Sequence, residues 1–481
     1  MTFLNKDCLY LIFEKLKDDR KSLHSCILVN RLWCHVAVPI LWKEPWKYVV
    51  YNKKLFDVIF SFLSSESQNL LMNEGIKEYP KLKRPPLFDY IHYCKYMRYF
   101  NIRNMILLKL GYGYNRKSQY KVIEKEIFQL FISKCFDIKE LQIIDIELEL
   151  HNFIGADNCF SNLCKLECDT SINSTIFIGL ARICKSIEHL FLNPCLNDNE
   201  GLIELIEAQR NLKRLICKGT KDQFENGQCY GIEKALKKQA NSLIHFSIDN
   251  LCFSPTIFPI LKNLQKLEIT EKKHVCLNKG YARNLSRSKY SNLEILVTKN
   301  ITHNIVEKII EKTNGCLWKI DITNDMNERI DHENFIKIIY HHCPNIKFIN
   351  ILIHENKNLF ELEQLLLNCQ YLEGIVIESP PIYRSQNERI NGNELLEIIT
   401  RSAPIGLHKI KVYKNLEISL NSLITFFENW KGRIPLYFHT IMSYSKLNKD
   451  YLDIIEKYKN EGILKEYKDL NNYPSPVGWQ N

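Results

Sequence analysis

Glycine and proline are scarce in this chain. Its 481 residues hold 17 glycines and 15 prolines, together about 7%, roughly half the usual share. This excludes collagen-like segments, long flexible linkers and glycine-rich phosphate loops, and predicts dense secondary structure with short connections. Long apolar runs are missing as well. No uncharged stretch approaches a membrane span, and Met1–Tyr10 carries Lys6 and Asp7 without the apolar segment of a secretory leader. The 17 cysteines are an odd number and too few for a disulfide scaffold. Free thiols in a reducing compartment, cytoplasmic or nuclear, are expected. Charge is not one-sided either: 65 Lys and Arg against 55 Asp and Glu leave +10, a bias that only its placement can interpret.

Catalytic signatures are also lacking. Gly111-Tyr112-Gly113 opens like a dinucleotide fingerprint, but Arg116 stands where the third glycine belongs. His332-Glu333 opens like a zinc-protease helix, but Ile336 replaces the second ligand. There is no nucleophile elbow and no Walker loop. His341-His342-Cys343 cannot easily converge on one ion, because adjacent helical residues point about 100° apart. The chain is therefore expected to be a non-enzyme with no catalytic residue, cofactor or metal.

What is present is a repeat. The phrase apolar-x-x-apolar-x-apolar starts at Ile138, Leu163, Ile187, Leu212, Leu243, Leu264, Leu293, Leu317, Ile346, Leu372 and Leu407. The mean spacing is about 27 residues, within the 20–29 range of leucine-rich repeats. Four copies carry a cysteine three residues ahead of the phrase: Cys135, Cys184, Cys343 and Cys369. Helically spaced apolar sets such as Leu395-Leu396-Ile398-Ile399 lie between copies. One strand and one helix cannot bury their apolar faces alone, so the units must stack. The expected fold is α/β: a curved solenoid with a parallel concave sheet and convex helices, the cysteines forming a thin buried column. Met97-x-x-Phe100-x-Ile102 reads as an earlier, degenerate copy, and Lys446–Lys468 as a helix capping the last repeat.

The first 45 residues follow another pattern. Leu9, Ile12, Phe13 and Leu16 share one face of a short helix that Asn5 or Asp7 can cap. Leu23, Cys26, Ile27 and Val29 form a second apolar set, and Leu32, Trp33, Val36 and Ala37 a third. The stretches Leu4-x-x-Asp7-x-Leu9-x-x-Ile12-Phe13-x-x-Leu16, Leu23-x-x-Cys26-x-x-Val29-Asn30-Arg31-x-Trp33 and Leu41-Trp42 resemble the F-box family. Two departures stand out: Asn5 replaces the usual proline and Asn30 the usual cysteine. A small three-helix F-box followed by leucine-rich repeats resembles the substrate receptor of SCF-type ubiquitin ligases. The resemblance implies docking on the Skp adaptor, and through it on cullin and RING subunits, with the repeats holding a protein substrate. It implies adaptor-facing roles for Leu4, Leu9, Ile12, Phe13, Leu16, Val29, Trp33 and Trp42, some of which must instead fill the module's interior. The alternative is a leucine-rich-repeat interaction scaffold unconnected with ubiquitin. The chain then divides into the F-box (1–45), a helical brace and linker (46–94) that includes the Lys53–Leu63 helix and the Arg84-Pro85-Pro86 loop, about twelve repeats (95–445), and a capping helix with a disordered tail (446–481).

In this register the residues flanking the second and third apolar positions face the concave side. Eight basic and seven acidic residues occupy those columns, which argues against a nucleic acid. Ile295, Val297, Phe348, Leu352, Val376 and Tyr413, with Lys319 and Lys411, are the expected substrate-binding set. The densest basic cluster, Lys272-Lys273-His274 to Lys289, falls off this face.

Overall fold

The computed structural model describes residues 4–47, 53–76, 86–111, 117–219, 229–250, 252–271, 279–323, 332–353, 358–378, 391–416, 418–442 and 449–469. The chain forms two compact units, Met1–Ser242 and Leu243–Asn481.

The first unit opens with helices α1 (Lys6–Lys15), α2 (Arg20–Val29) and α3 (Arg31–Trp42). Each start is fixed by a short polar side chain that accepts an otherwise orphaned backbone N–H. Asn5 accepts from Asp7, Asp19 from Ser22 at 3.1 Å, and Asn30 from Trp33 at 2.9 Å. Both departures from the F-box pattern are thus N-caps. Then come α4 (Lys53–Phe60), α5 (Ser65–Asn73), β1 (Tyr96–Arg98), α6 (Tyr99–Leu110), α7 (Lys117–Lys134), β2 (Glu140–Ile143), α8 (Ala156–Phe160), β3 (Lys165–Cys168), α9 (Ser174–Ile183), β4 (His189–Leu192), α10 (Glu200–Glu207), β5 (Arg214–Lys218) and α11 (Tyr230–Lys238). Strands β1 to β5 pair in chain order, all parallel.

The second unit continues the alternation with β6 (His245–Asp249), β7 (Lys266–Thr270), α12 (Lys279–Arg287), β8 (Ile295–Lys299), α13 (His303–Glu311), β9 (Lys319–Thr323), α14 (His332–His342), β10 (Phe348–Leu352), α15 (Asn358–Asn368), β11 (Gly374–Glu378), α16 (Gly392–Ser402), β12 (Lys409–Leu416), α17 (Leu420–Asn429), β13 (Leu436–Met442), α18 (Lys449–Asn460) and β14 (Leu464–Asp469). Strands β6 to β14 also pair parallel in chain order.

The sequence phrase sets the register in both units. The second apolar positions pair directly, as Leu141, Leu166, Leu190 and Leu215 in one and as Phe246, Leu267, Leu296 and Ile320 in the other. All are buried. Parallel pairing at about 4.8 Å stacks equivalent side chains directly, so each copy extends one apolar column. Cys135, Cys184, Cys343 and Cys369 are buried where a helix ends. Each donates its backbone N–H to a carbonyl four residues back, at 2.7–2.9 Å. A small apolar residue suits that tight exit. Within the first unit two buried amides link neighbouring repeats. Gln209 accepts the Ile187 N–H and donates to Cys184 O, while Gln239 donates to Gln209 O.

Three expectations need correction. The degenerate copy is shifted by three residues. Met97 pairs with Leu141, so Cys94 and Met97 fill the first two apolar positions, while Phe100 is exposed on α6. The Lys446–Lys468 segment is not one helix. The chain leaves α18 through Gly462 at φ 74°, a left-handed turn that favours glycine, and residues from Leu464 onward pair with β13 as β14. Strand β13 was not recognised as a copy, so fourteen strands are described where about twelve repeats were expected. Arg84 and Pro85, the Lys272–His274 end of the basic cluster and the tail after 469 lie outside the described residues.

Candidate interaction surfaces

The α1–α3 module closes on its own small core of Leu9, Phe13, Leu23, Cys26, Val36, Ala37 and Ile40, with Leu16, Ile27, Trp33 and Leu41 packed around it. Helical phase explains the choice. Leu9, Phe13 and Leu16 lie along one stripe of α1 and turn inward. Leu9 and Phe13 are therefore interior residues, at 1% and 2% exposure, and cannot face a partner. Leu16 is half-buried in the same core, and Trp33 meets Phe13 edge-on at 5.1 Å. Trp42 is also removed from the partner-facing set: its indole stacks on Tyr90 at 4.6 Å.

Leu4, Ile12 and Val29 remain exposed. Beside them the structure exposes residues that the sequence reading missed: Leu11 at 66%, Leu28 at 86%, and Leu32. The missed signal is phase: at 100° per residue Leu11 lies opposite the Leu9–Phe13 stripe of α1, while Ile12 borders it. The Phe13–Trp33 ring contact brings the middle of α1 to the start of α3.

The module is tied to the first strand. Lys43 O accepts the Lys95 and Tyr96 N–H groups at 2.9 and 3.2 Å, and Trp46 Nε1 donates to Tyr96 O at 2.8 Å. Arg98 pairs with Glu44 at 2.9 Å. Helix α4 buries Leu55, Phe56, Ile59 and Phe60, and its Asp57 pairs with Lys109 of α6 at 2.6 Å.

The second surface is the strand face turned away from the helices. Ile295, Val297 and Lys319 are half-exposed on it. Four expected binding residues are not available: Phe348, Leu352, Val376 and Lys411 are buried, at 4–9% exposure. One cause is a glycine. Phe348, Gly374 and Lys409 stand in one register row, and with no side chain on Gly374 the Lys409 ammonium reaches across to 5.2 Å from the Phe348 ring centre. One row on, Asn350 Nδ2 donates to Glu378 Oε1 and to Ile322 O, both at 2.9 Å. The Tyr413 side chain lies outside the described residues; its backbone pairs with Glu378. Elsewhere on this face opposite charges neutralise one another, as in Lys165–Glu140 and Lys266–Glu268.

The row Val376–Lys411–His439–Lys468 carries buried titratable groups. Burial lowers the Lys411 pKa, with Lys468 adding repulsion. Burial also brings the His439 pKa down to about 4, although Glu466 lies 2.9 Å from its Nε2. Desolvation outweighs that carboxylate because Lys411 and Lys468 oppose it, so His439 is neutral and its Nε2–H donates to Glu466. A folded pKa below the unfolded value of about 6.5 makes the unfolded chain bind more protons in between. Stability is therefore lost as pH falls from 6.5 toward 4. We expect His439 to cost about 2 kcal/mol at pH 5 relative to pH 7. Urea denaturation of the chain and of His439→Gln at both pH values checks this; the variant should lose that part of the slope.

No family model matches the chain, and no curated protein matches it. Among solved structures it is similar to the leucine-rich repeat-containing protein LegL7 from Legionella pneumophila, with 11% identity and a TM-score of 0.33 over 63% of this chain and 93% of that one. The repeat architecture rests on the chain's own strands and register.

Proposed function

We propose that this chain is a non-catalytic recognition subunit, the substrate receptor of an SCF-type ubiquitin ligase. The α1–α3 module docks on the Skp adaptor, and the repeats hold a protein substrate near the conjugating machinery. Its contribution to rate is proximity. The observation that supports this is the exposed set Leu4, Leu11, Ile12, Leu28, Val29 and Leu32 on a module whose interior is already filled. The six apolar side chains coincide with the segment that resembles an F-box. The test is co-purification of the full chain with the Skp adaptor, alone and as the Ile12→Asp/Leu28→Asp variant. Binding should fall about 100-fold, the range of an interface hot spot, with thermal melting unchanged. Unaltered binding sinks the docking assignment.

A second reading is a leucine-rich-repeat scaffold in which α1–α3 only closes the end of the sheet. The Lys43 O bonds to Lys95 and Tyr96 favour it. It predicts no adaptor binding, and loss of repeat stability when residues 1–45 are removed.

A further inference from the structure

The helix face of the second unit carries a groove of about 770 Å³ between α12 and α13. These helices follow the neighbouring strands β7 and β8 and so belong to successive repeats. Four cations line the groove, Arg283 and Arg287 from α12 and Lys308 and Lys312 from α13 and its exit, against the single carboxylate of Glu311. The lining therefore carries +3. All five side chains are exposed, and among the described residues none of the four cations lies within ion-pair distance of a carboxylate. Later helices of the same unit differ: Lys337 pairs with Glu333 at 2.6 Å, and Arg401 with Glu363 at 2.7 Å. Arg283 and Arg287 belong to the densest basic stretch of the sequence, while Lys308 and Lys312 come from the next repeat, so stacking is what gathers the two pairs. The start of α13 adds the same sign. Thr302 and Asn304 line the groove, and the Thr302 side chain makes no cap bond to the helix, so it does not offset the positive end of the helix dipole.

We propose that this groove is a docking site for an acidic segment of a partner protein, a run rich in aspartate and glutamate. The spacing fits. On each side of the groove the two cations stand four residues apart, a rise of about 6 Å. Same-side carboxylates of an extended chain recur about every 6.8 Å, so two successive ones meet the two cations of one helix. Ser286, Thr302 and Asn304 offer hydrogen-bonding groups to the peptide backbone. A single exposed ion pair is worth little, so binding rests on the four cations together. Glu311 favours a peptide over a nucleic acid. A peptide can set a neutral or basic side chain beside Glu311, whereas a nucleic-acid strand carries a charge at every phosphate. The site is on the helix face, not the strand face, and is independent of the ubiquitin-ligase reading.

The test uses the full chain and fluorescence anisotropy. The probe is a short labelled peptide alternating glutamate and serine, and its control carries glutamine for glutamate. The glutamate peptide should bind saturably, about tenfold more tightly than the glutamine peptide, and should weaken as salt rises. Arg283→Glu/Arg287→Glu should weaken it about tenfold with melting unchanged, because both side chains are exposed. Lys262→Glu/Lys289→Glu is the control. Both lysines are exposed in the same unit but outside the groove lining, so the same change of charge should alter binding by less than about twofold. The proposal is overturned if the two peptides bind equally or if the two double variants weaken binding equally. It is also overturned if single-stranded DNA or phosphatidylserine vesicles, at the same salt, bind more tightly than the glutamate peptide and lose that binding with Arg283→Glu/Arg287→Glu.

Discussion

Phe13→Ala is expected to destabilise the α1–α3 module by about 3–5 kcal/mol, the usual cost of truncating a buried phenylalanine. The ring is 2% exposed and forms the edge contact with Trp33 that joins α1 to α3. The core it belongs to holds seven buried residues, Phe13 included, and a module this small has little stability in reserve. Leu11→Ala, two residues away on the opposite stripe, should change stability by no more than about 0.5 kcal/mol. Urea denaturation combined with limited proteolysis of the first 45 residues checks both. Equal losses would mean that α1 packs with the other face inward, and the exposed apolar set would lose its basis. The comparison also separates folding from binding. Phe13 is an interior residue, so loss of adaptor binding in its variant would say nothing about the interface.

The second large effect is expected from Gly201→Ala, about 3 kcal/mol, the upper end for overpacking. A Cβ at Gly201 would stand 2.1 Å from Ser174 O and 2.9 Å from Ser174 C. Those are backbone atoms of α9, which cannot rotate aside, so α10 would have to move away. Gly179 of α9 has the same constraint on its other side, where a Cβ would meet the His151 ring at 2.0 Å. Gly406→Ala is the control. Its nearest atom, Leu372 O, is 3.6 Å away, so that change should be neutral or stabilising by up to about 1 kcal/mol. Urea denaturation of the two variants separates them; a Gly201 variant as stable as the Gly406 variant would show that α9 and α10 can separate without cost. Glycine scarcity thus has a positive side: several of the 17 stand where helices approach closely or where a helix must stop.

By itself the sequence determined the repeat and its register. The apolar-x-x-apolar-x-apolar phrase is local, and in a parallel ladder equivalent positions pair directly, so reading the phrase amounts to reading the pairing. It also located the cysteine column, because a helix exit recurs at one place in each copy. Tertiary structure alone decided the surfaces. Leu9 and Ile12 are both leucine-like residues of one short helix, and which turns inward depends on α2 and α3. Phe348 and Lys411 sit at alternating positions that look exposed in any single strand. They are buried because Gly374 lets a lysine cross it and because a charged row gathers beside them. The last strand appears only because Gly462 ends α18 early enough for Leu464 to reach β13. Periodicity is a property of a segment; exposure is a property of everything that packs against it.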